Sequence, residues 1–359
     1  MVQQTVLITG CSEGGIGDAL AQAFHKKGLR VFASARNPAK VEHLKDAGLE
    51  TLQLDVTDQG SIKKAVSIVK AATGGSLDFL VNNSGAGYSM PLLESDMAVA
   101  KQMFDVNYFA VVAVTQAFAP LLIAAKGTII NIGSVVGNMP LPWQGFYGAS
   151  KAAVAILTDQ MRLELSPWGV RAILVTTGVV KTKFFDNLAT APKLPESSLY
   201  YPAKDVIEPA LAGTELGKSA MDVDMYAEIV VNNAIRPSPK MHLWAGGNAL
   251  FTWLASTFGW ATIWVLFSLS CIRQPHSDYL TSFSGPYTPP YRTHVGCNKQ
   301  DPGRREGGPG SPEKRLSISL PKSASTKEAC QLPSPNILIG PVCFVWLSFS
   351  RVVHMNLIN

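Results

Sequence analysis

Charged side chains are scarce in this chain. Asp, Glu, Lys and Arg make up 16% of its 359 residues, against about 25% in ordinary soluble domains. A shortage of that size fits a protein that meets lipid-like material. Cysteine is also sparse. The five cysteines have neither metal-ligand spacing nor the density of a disulfide framework, and the six histidines form no cluster. A metal centre and a stapled secreted scaffold are therefore excluded as readings, and a reducing, cytosol-facing location is expected. Met1 to Gly10 leads directly into an apolar strand, so no signal peptide is read there. The formal net charge of +5 is misleading. Residues 273–359 hold ten Lys and Arg against five Asp and Glu, which leaves 21 of each in the rest. A neutral body with a basic tail gives no support to a nucleic-acid partner.

Four elements in order carry the information. Residues 9–17, Thr-Gly-Cys-Ser-Glu-Gly-Gly-Ile-Gly, close the apolar run Val6-Leu7-Ile8. Helical character follows from Asp18, so phosphates would meet a helix N-terminus with free N–H groups. Gly10, Ser12, Gly15, Ile16 and Gly17 are the candidate contacts. Asn82-Asn83-Ser84-Gly85 follows the run ending at Val81, and Asn83 is a further cofactor candidate. Ser134 lies just after the run from Thr128 to Ile132. Tyr147 and Lys151 come last, one helical turn apart and so on one face. Tyr200 and Lys204 repeat the spacing, but Pro202 between them argues against a shared helix face.

The second apolar run ends in Ser34-Ala35-Arg36. A site for NAD wants a carboxylate here for the ribose hydroxyls. None is present, and the Arg36 guanidinium suits a 2′-phosphate, so the expected cofactor is NADP(H). Asp55 suits the adenine amino group. Carbonyl reduction needs an acid for the oxygen and a group that polarises the carbonyl. Tyr147 is the acid, and Lys151 is expected to bring its pKa down toward the working range and to bind the nicotinamide ribose. Ser134 donates to the substrate oxygen. Asn107 holds a water that links Lys151 to solvent.

Over residues 5–240 these motifs resemble the short-chain dehydrogenase/reductases. The match rests on Thr9, Gly10, Gly15, Ile16 and Gly17, on Asn82, Ser84 and Gly85, and on Asn107, Ser134, Tyr147 and Lys151. The turn is one residue longer than the family's usual spacing. The turn, the Ser-Ala-Arg strand end and residues 177–182 are similar to fungal 1-acyldihydroxyacetone-phosphate reductases. Where the family usually has Pro-Gly, this chain has Thr177-Gly178. The resemblance implies that this loop meets the nicotinamide carboxamide, through Gly178, Val180 and Thr182. It also implies dimerisation through residues 98–125 and 149–165, although the residues alone fit core helices as well.

Strand-like runs around Val6, Val31, Leu52, Phe79, Ile129 and Ile173 alternate with helical stretches. The expected fold is α/β, a Rossmann-type doubly wound parallel sheet. One domain, residues 1–240, is followed by an apolar segment, 241–272, and a disordered tail, 273–359. Residues 243–272 carry no charge and four tryptophans, Trp244, Trp253, Trp260 and Trp264. This composition suits a membrane surface or a span. An endoplasmic-reticulum or lipid-droplet surface and the cytoplasm both stay open. The tail is either a real extension or the product of a translated intron or mispredicted last exon.

The expected protein is an NADPH-dependent carbonyl reductase with a lipid-like ketone substrate such as 1-acyldihydroxyacetone phosphate. Lys181 and Lys183 are the first cations to try for a phosphate head group. The alternative is a reductase or dehydrogenase of a fungal secondary-metabolite pathway acting on a polyketide or terpenoid. A non-catalytic NADP-binding protein ranks below both, because Ser134, Tyr147 and Lys151 are all present.

Overall fold

Seven strands lie in a single parallel sheet. The structure is a computed structural model, and it describes residues 3–183, 193–213, 219–259 and 264–265. The expected disordered tail, residues 273–359, lies outside the described residues, as do parts of the apolar segment. The strands are β1 (Thr5–Ile8), β2 (Arg30–Ala35), β3 (Glu50–Gln53), β4 (Phe79–Asn82), β5 (Thr128–Ile132), β6 (Arg171–Thr177) and β7 (His242–Ala245). Their order is β3-β2-β1-β4-β5-β6-β7. All six expected strand centres fall inside β1 to β6. The helices are α1 (Ile16–Lys26), α2 (Glu42–Asp46), α3 (Gln59–Thr73), α4 (Met97–Phe104), α5 (Ala110–Ala125), α6 (Gly145–Leu165), α7 (Lys204–Leu211), α8 (Val223–Ala234) and α9 (Ala249–Phe258).

Strand alternation divides the core into two layers. Val6 and Ile8 of β1 face one side, where they meet Leu20 and Phe24 of α1 and Tyr226, Val230 and Val231 of α8. Leu7 faces the other side, with Ile62 and Val69 of α3, Val114 and Phe118 of α5 and Met161 of α6. Both faces of every central strand are buried, which is why these strands read as unbroken apolar runs. The strand order reverses between β1 and β4. A crevice opens at the C-terminal ends of strands at such a point. The glycine turn after β1 and Asn83-Ser84-Gly85 after β4 both lie there.

The sheet extends past Lys240. His242–Ala245 pairs in parallel with β6, Leu174 opposite His242 and Thr177 opposite Ala245. The tryptophan-rich run thus begins as a strand. Its next part, α9, has ten residues, about 15 Å of helix, half of a bilayer core. Among the described residues one helical stretch, Met97–Ala125, is long and apolar enough to cross a membrane. Its Val111, Val114, Phe118, Leu121 and Leu122 are core residues.

Candidate active site

The glycine turn is held by Thr9 and Asn83. The backbone N–H groups of Asn83 and Ser84 both donate to the Thr9 hydroxyl, at 3.0 Å each. The Asn83 amide donates back to the carbonyls of Thr9, at 2.9 Å, and Gly10, at 3.0 Å. Gly10 has φ +74°, a left-handed conformation that suits glycine. A Cβ on Gly17 would stand 2.4 Å from the Gly10 carbonyl oxygen and 2.5 Å from Asn83 Nδ2. Only a glycine lets α1 pack this tightly on the turn. Gly15 gives α1 no side-chain cap, so the helix N-terminus keeps N–H groups for an anion. Ser12 is half-buried beside it and accepts a hydrogen bond from Gly15 N–H at 3.1 Å. Ile16 packs against the core from the first turn. These features fit the pyrophosphate of a dinucleotide.

Asp18, a buried carboxylate in the first turn of α1, would repel that anion if it faced it. It is instead engaged by Gly14 N–H at 2.8 Å, Gln22 Nε2 at 2.8 Å and His43 Nε2 at 2.9 Å. Cys11 is fully buried, and burial pushes its thiol up to about 12. It is a packing residue of the turn.

Arg36 is exposed at the end of β2. Asp55, beyond β3, has its pKa lowered, first by the Thr57 backbone N–H, then by the Thr57 hydroxyl and the charge of Arg36. The two candidate adenosine contacts are therefore neighbours, and the carboxylate stays ionised beside the guanidinium.

The four candidate catalytic residues come from three places. Asn107 lies in a π-helical turn, Asp105–Phe109, between α4 and α5, the kind of irregularity often found at functional sites. The wider turn carries its side chain inward. Its Oδ1 accepts from Ala86 N–H at 2.8 Å, and its Nδ2 donates to the Ala86 carbonyl at 2.9 Å and the Ser150 hydroxyl at 3.0 Å. Ser150 in turn donates to the Tyr147 carbonyl at 2.8 Å. Ser134 follows β5 and accepts from Val136 N–H at 3.4 Å.

Tyr147 and Lys151 occupy the first two turns of α6. Below them Val154, Thr158 and Met161 are buried at helical spacing, which fixes the face that turns inward. Tyr147 is hydrogen-bonded to Ser134. The Lys151 Nζ lies 5.9 Å from the Tyr147 ring centroid and donates to the Ile132 carbonyl at 3.0 Å. A Cβ on Gly85 would lie 3.4 Å from Asn107 Oδ1 and 3.6 Å from Lys151 Nζ, so both groups border the same small space.

The electrostatics differ from the sequence expectation in one respect. Burial pushes the Tyr147 phenol up, and the Ser134 hydrogen bond opposes this only in part. Burial also pulls the Lys151 ammonium down, to about 8. The lysine is expected to lower the tyrosine, yet burial sets the direction here and the opposing pull comes from Ser134. A raised phenol stays protonated across neutral pH, the form a proton donor needs, and holds that proton more tightly than a free tyrosine does.

Beyond β6, residues 178–183 run back over the turn. Gly178 N–H donates to the Ala245 carbonyl at 2.7 Å, and Lys183 N–H to the Gly14 carbonyl at 3.2 Å. Val180 is buried and Thr182 half-buried. Lys181 is exposed, whereas Lys183 lays its stem on Gly14 and pairs with Glu13 at 3.7 Å. Lys183 therefore belongs to the cofactor side of the crevice. Lys204 starts α7 and donates to Tyr201 at 2.9 Å.

Some participants escaped sequence reasoning. Ser150 sits at helical spacing from Tyr147, and that spacing was the available signal. Asn82 was named from the sequence, but its partners were not: it donates to Asn131 at 2.8 Å and Thr115 at 3.2 Å. Tyr226, on α8, reaches Thr177, and no local pattern marks it. Two apolar clusters lie near the start of α6. Val135, Val136, Met139, Leu141, Trp244 and Ala249 pack with Tyr147. Trp143 packs in a second cluster with Met90, Tyr88 and Tyr200.

Residues 4–193 match the short chain dehydrogenase family. A short-chain dehydrogenase of Penicillium ochrochloron, ptmH, is 46% identical over 236 residues, which cover 66% of this chain and 86% of that protein. An NADPH-dependent 1-acyldihydroxyacetone phosphate reductase of Schizosaccharomyces pombe is 43% identical over 208 residues, 57% of this chain and 70% of that one. A crystal structure of a short-chain dehydrogenase from Streptomyces avermitilis superposes with a TM-score of 0.62 at 25% identity, covering 76% of this chain and 94% of that chain. With a doubly wound parallel sheet, a glycine turn after β1, and Ser134, Tyr147 and Lys151 gathered above it, this chain belongs to the short-chain dehydrogenase family.

Proposed function

We propose that this oxidoreductase is a carbonyl reductase that uses NADPH and takes an apolar, lipid-like ketone such as 1-acyldihydroxyacetone phosphate. The cofactor is NADP(H). Arg36 at the end of β2 supports that assignment, as does the NADPH dependence of the fission-yeast relative. Gly10, Ser12, Gly15, Ile16 and Gly17 hold the pyrophosphate, with Asn83 bracing the turn. Arg36 and Asp55 serve the adenosine end, and Gly178, Val180 and Thr182 the nicotinamide end. The observation that carries the reading is the Tyr147–Ser134 hydrogen bond, with the Lys151 ammonium 5.9 Å from the same ring.

NADPH, when bound, supplies the hydride. The Ser134 hydroxyl donates to the substrate carbonyl oxygen and holds it beside Tyr147. As the carbonyl carbon is reduced, its oxygen gains negative charge and takes the proton of the Tyr147 hydroxyl. Lys151, with its ammonium 5.9 Å from the ring centroid, stabilises the phenolate left behind and binds the nicotinamide ribose. Asn107 Oδ1 keeps a lone pair beyond its bond to Ala86 N–H. It anchors the water through which the proton is replaced.

Lipid-like substrate and membrane contact find support in the walls of the site. Trp244 and Ala249 touch the Tyr147 cluster, and α9 continues outward with Leu250, Phe251, Trp253, Leu254 and Phe258 exposed. The apolar lining thus runs from the catalytic tyrosine to an apolar outer face. A second reading, reduction of a ring-bearing polyketide or terpenoid, is favoured by the edge-to-face pair of Trp143 and Tyr200, centroids 5.7 Å apart, in the second apolar cluster. Turnover with NADPH on two matched series separates the readings. A rise in kcat/KM with acyl-chain length supports the first, and a preference for fused-ring ketones the second. Activity confined to small polar ketones sinks both.

A further inference from the structure

The loop expected at the nicotinamide begins where β6 ends, at Thr177, in the place where the resemblance leads one to expect proline. Thr177 is buried. Its Oγ1 lies 2.7 Å from the Tyr226 hydroxyl and 3.4 Å from the Val175 carbonyl. A threonine hydroxyl has a single proton. With that proton on the Val175 carbonyl, Tyr226 is the donor to Thr177. Tyr226 has no exposed surface, and its ring would fill the same space as a phenylalanine. A buried hydroxyl is costly unless bonded, and Thr177 supplies the bond.

The contact closes a circuit around the loop. Val179 N–H donates to the Gly247 carbonyl at 2.9 Å, and Gly247 N–H donates back at 2.8 Å. Met221 N–H donates to the Val179 carbonyl at 3.0 Å, and Lys181 N–H to the Met221 carbonyl at 2.8 Å. Asp222 then caps α8 by accepting from Asp224 and Met225 N–H. One turn further, Tyr226 returns to Thr177. The start of the loop and the helix beside it are therefore tied at both ends of the same segment.

We infer that Thr177 and Tyr226 are a positioning pair for the nicotinamide loop. Their hydrogen bond holds residues 178–182 in place, doing with a side-chain tie what a proline ring does by fixing φ. The inference rests on the reading that this loop closes on the nicotinamide.

The test compares NADPH with 2′,5′-ADP, which carries only the adenosine end. Thr177→Val should weaken NADPH about tenfold, the size of one lost hydrogen bond with a buried hydroxyl left over. It should also lower kcat and leave 2′,5′-ADP affinity unchanged. Thr177→Ser keeps the hydroxyl and should restore both. Tyr226→Phe keeps the ring, leaves Thr177 bonded to Val175, and should weaken NADPH by about threefold. It carries the test if Thr177→Val does not fold. The inference is overturned if both variants bind NADPH and turn over as the wild type does. Equal losses of NADPH and 2′,5′-ADP overturn it too, because the pair would then serve only the fold. Thr182→Ala is the control for the underlying reading. If it leaves NADPH binding untouched, the loop is not a cofactor contact, and that reading fails instead.

Discussion

The Lys151 ammonium stands 5.9 Å from the centre of the Tyr147 ring, and its hydrogen bond goes to the Ile132 carbonyl at 3.0 Å. A charge buried this way is expensive, and its pKa falls to about 8. The tyrosine is pushed the other way. At neutral pH the pair is therefore a charged lysine beside a protonated phenol, the state that reduction consumes. Hydrolases and proton shuttles tune their groups for other states. This arrangement suits giving one proton to an oxygen while a neighbouring cation steadies the charge left behind.

Tyr147→Phe keeps the ring and removes the proton. NADPH affinity should stay within about twofold, while kcat drops by about 10²–10⁴, the usual worth of a general acid. Fluorescence titration and steady-state rates read the two effects separately. A variant with near-normal kcat would remove Tyr147 from the mechanism.

Lys151 makes activity and stability move in opposite directions with pH. Reduction should decline as pH rises through about 8 and the ammonium loses its proton. For stability, the unfolded chain holds that proton up to the ordinary lysine pKa of 10.5, and the folded protein releases it near 8. Between these values the unfolded state binds more protons, so this group makes the fold more stable as pH rises. Below about 8 its burial cost is fully present. Lys151→Met should therefore be more stable than the wild type at pH 7, by on the order of 1–3 kcal/mol, and nearly inactive. The difference in unfolding free energy should shrink from pH 8 to pH 10.5. A constant difference across that window would show that Lys151 is not buried as a charge.

Arg36→Ala should weaken NADPH by about 10–100-fold, the loss of a charge-assisted contact to phosphate. NADH should change little. Parallel titrations of both cofactors check this, and equal losses would make Arg36 a bystander.

Gly17→Ala should damage the cofactor turn before the rest of the fold. The new Cβ would meet the Gly10 carbonyl oxygen at 2.4 Å, and backbone cannot yield as a side-chain end does. A cost of about 1–3 kcal/mol is expected from overpacking, with NADPH binding lost below the melting temperature. Calorimetry with and without NADPH measures both. A variant stabilised by NADPH as strongly as the wild type would show that the turn tolerates the atom.

The fold class was legible in the residues alone, and so were the names of the residues proposed for the site. Strands buried on both faces are largely apolar, so β1, β2, β4, β5 and β6 announced themselves as runs, whereas β3 buries only Leu52; the alternation with helices implied parallel pairing. Gly10, Gly17, Ser134, Tyr147 and Lys151 were legible because their chemistry depends on residue type and short spacing. Tertiary structure decided what depends on distant partners. Leu243, Trp244 and Ala245 read as the start of a membrane-associating segment, yet they pair with β6, because an apolar run takes whichever apolar neighbour the fold offers. The direction of the Tyr147 shift depends on how completely the site excludes water, and that is a property of the packed molecule. Lys183 reached Glu13, 170 positions away in the chain, and Thr177 found Tyr226. No local pattern encodes such contacts, since they arise only when the sheet brings the ends of β1 and β6 and the start of α8 to one edge.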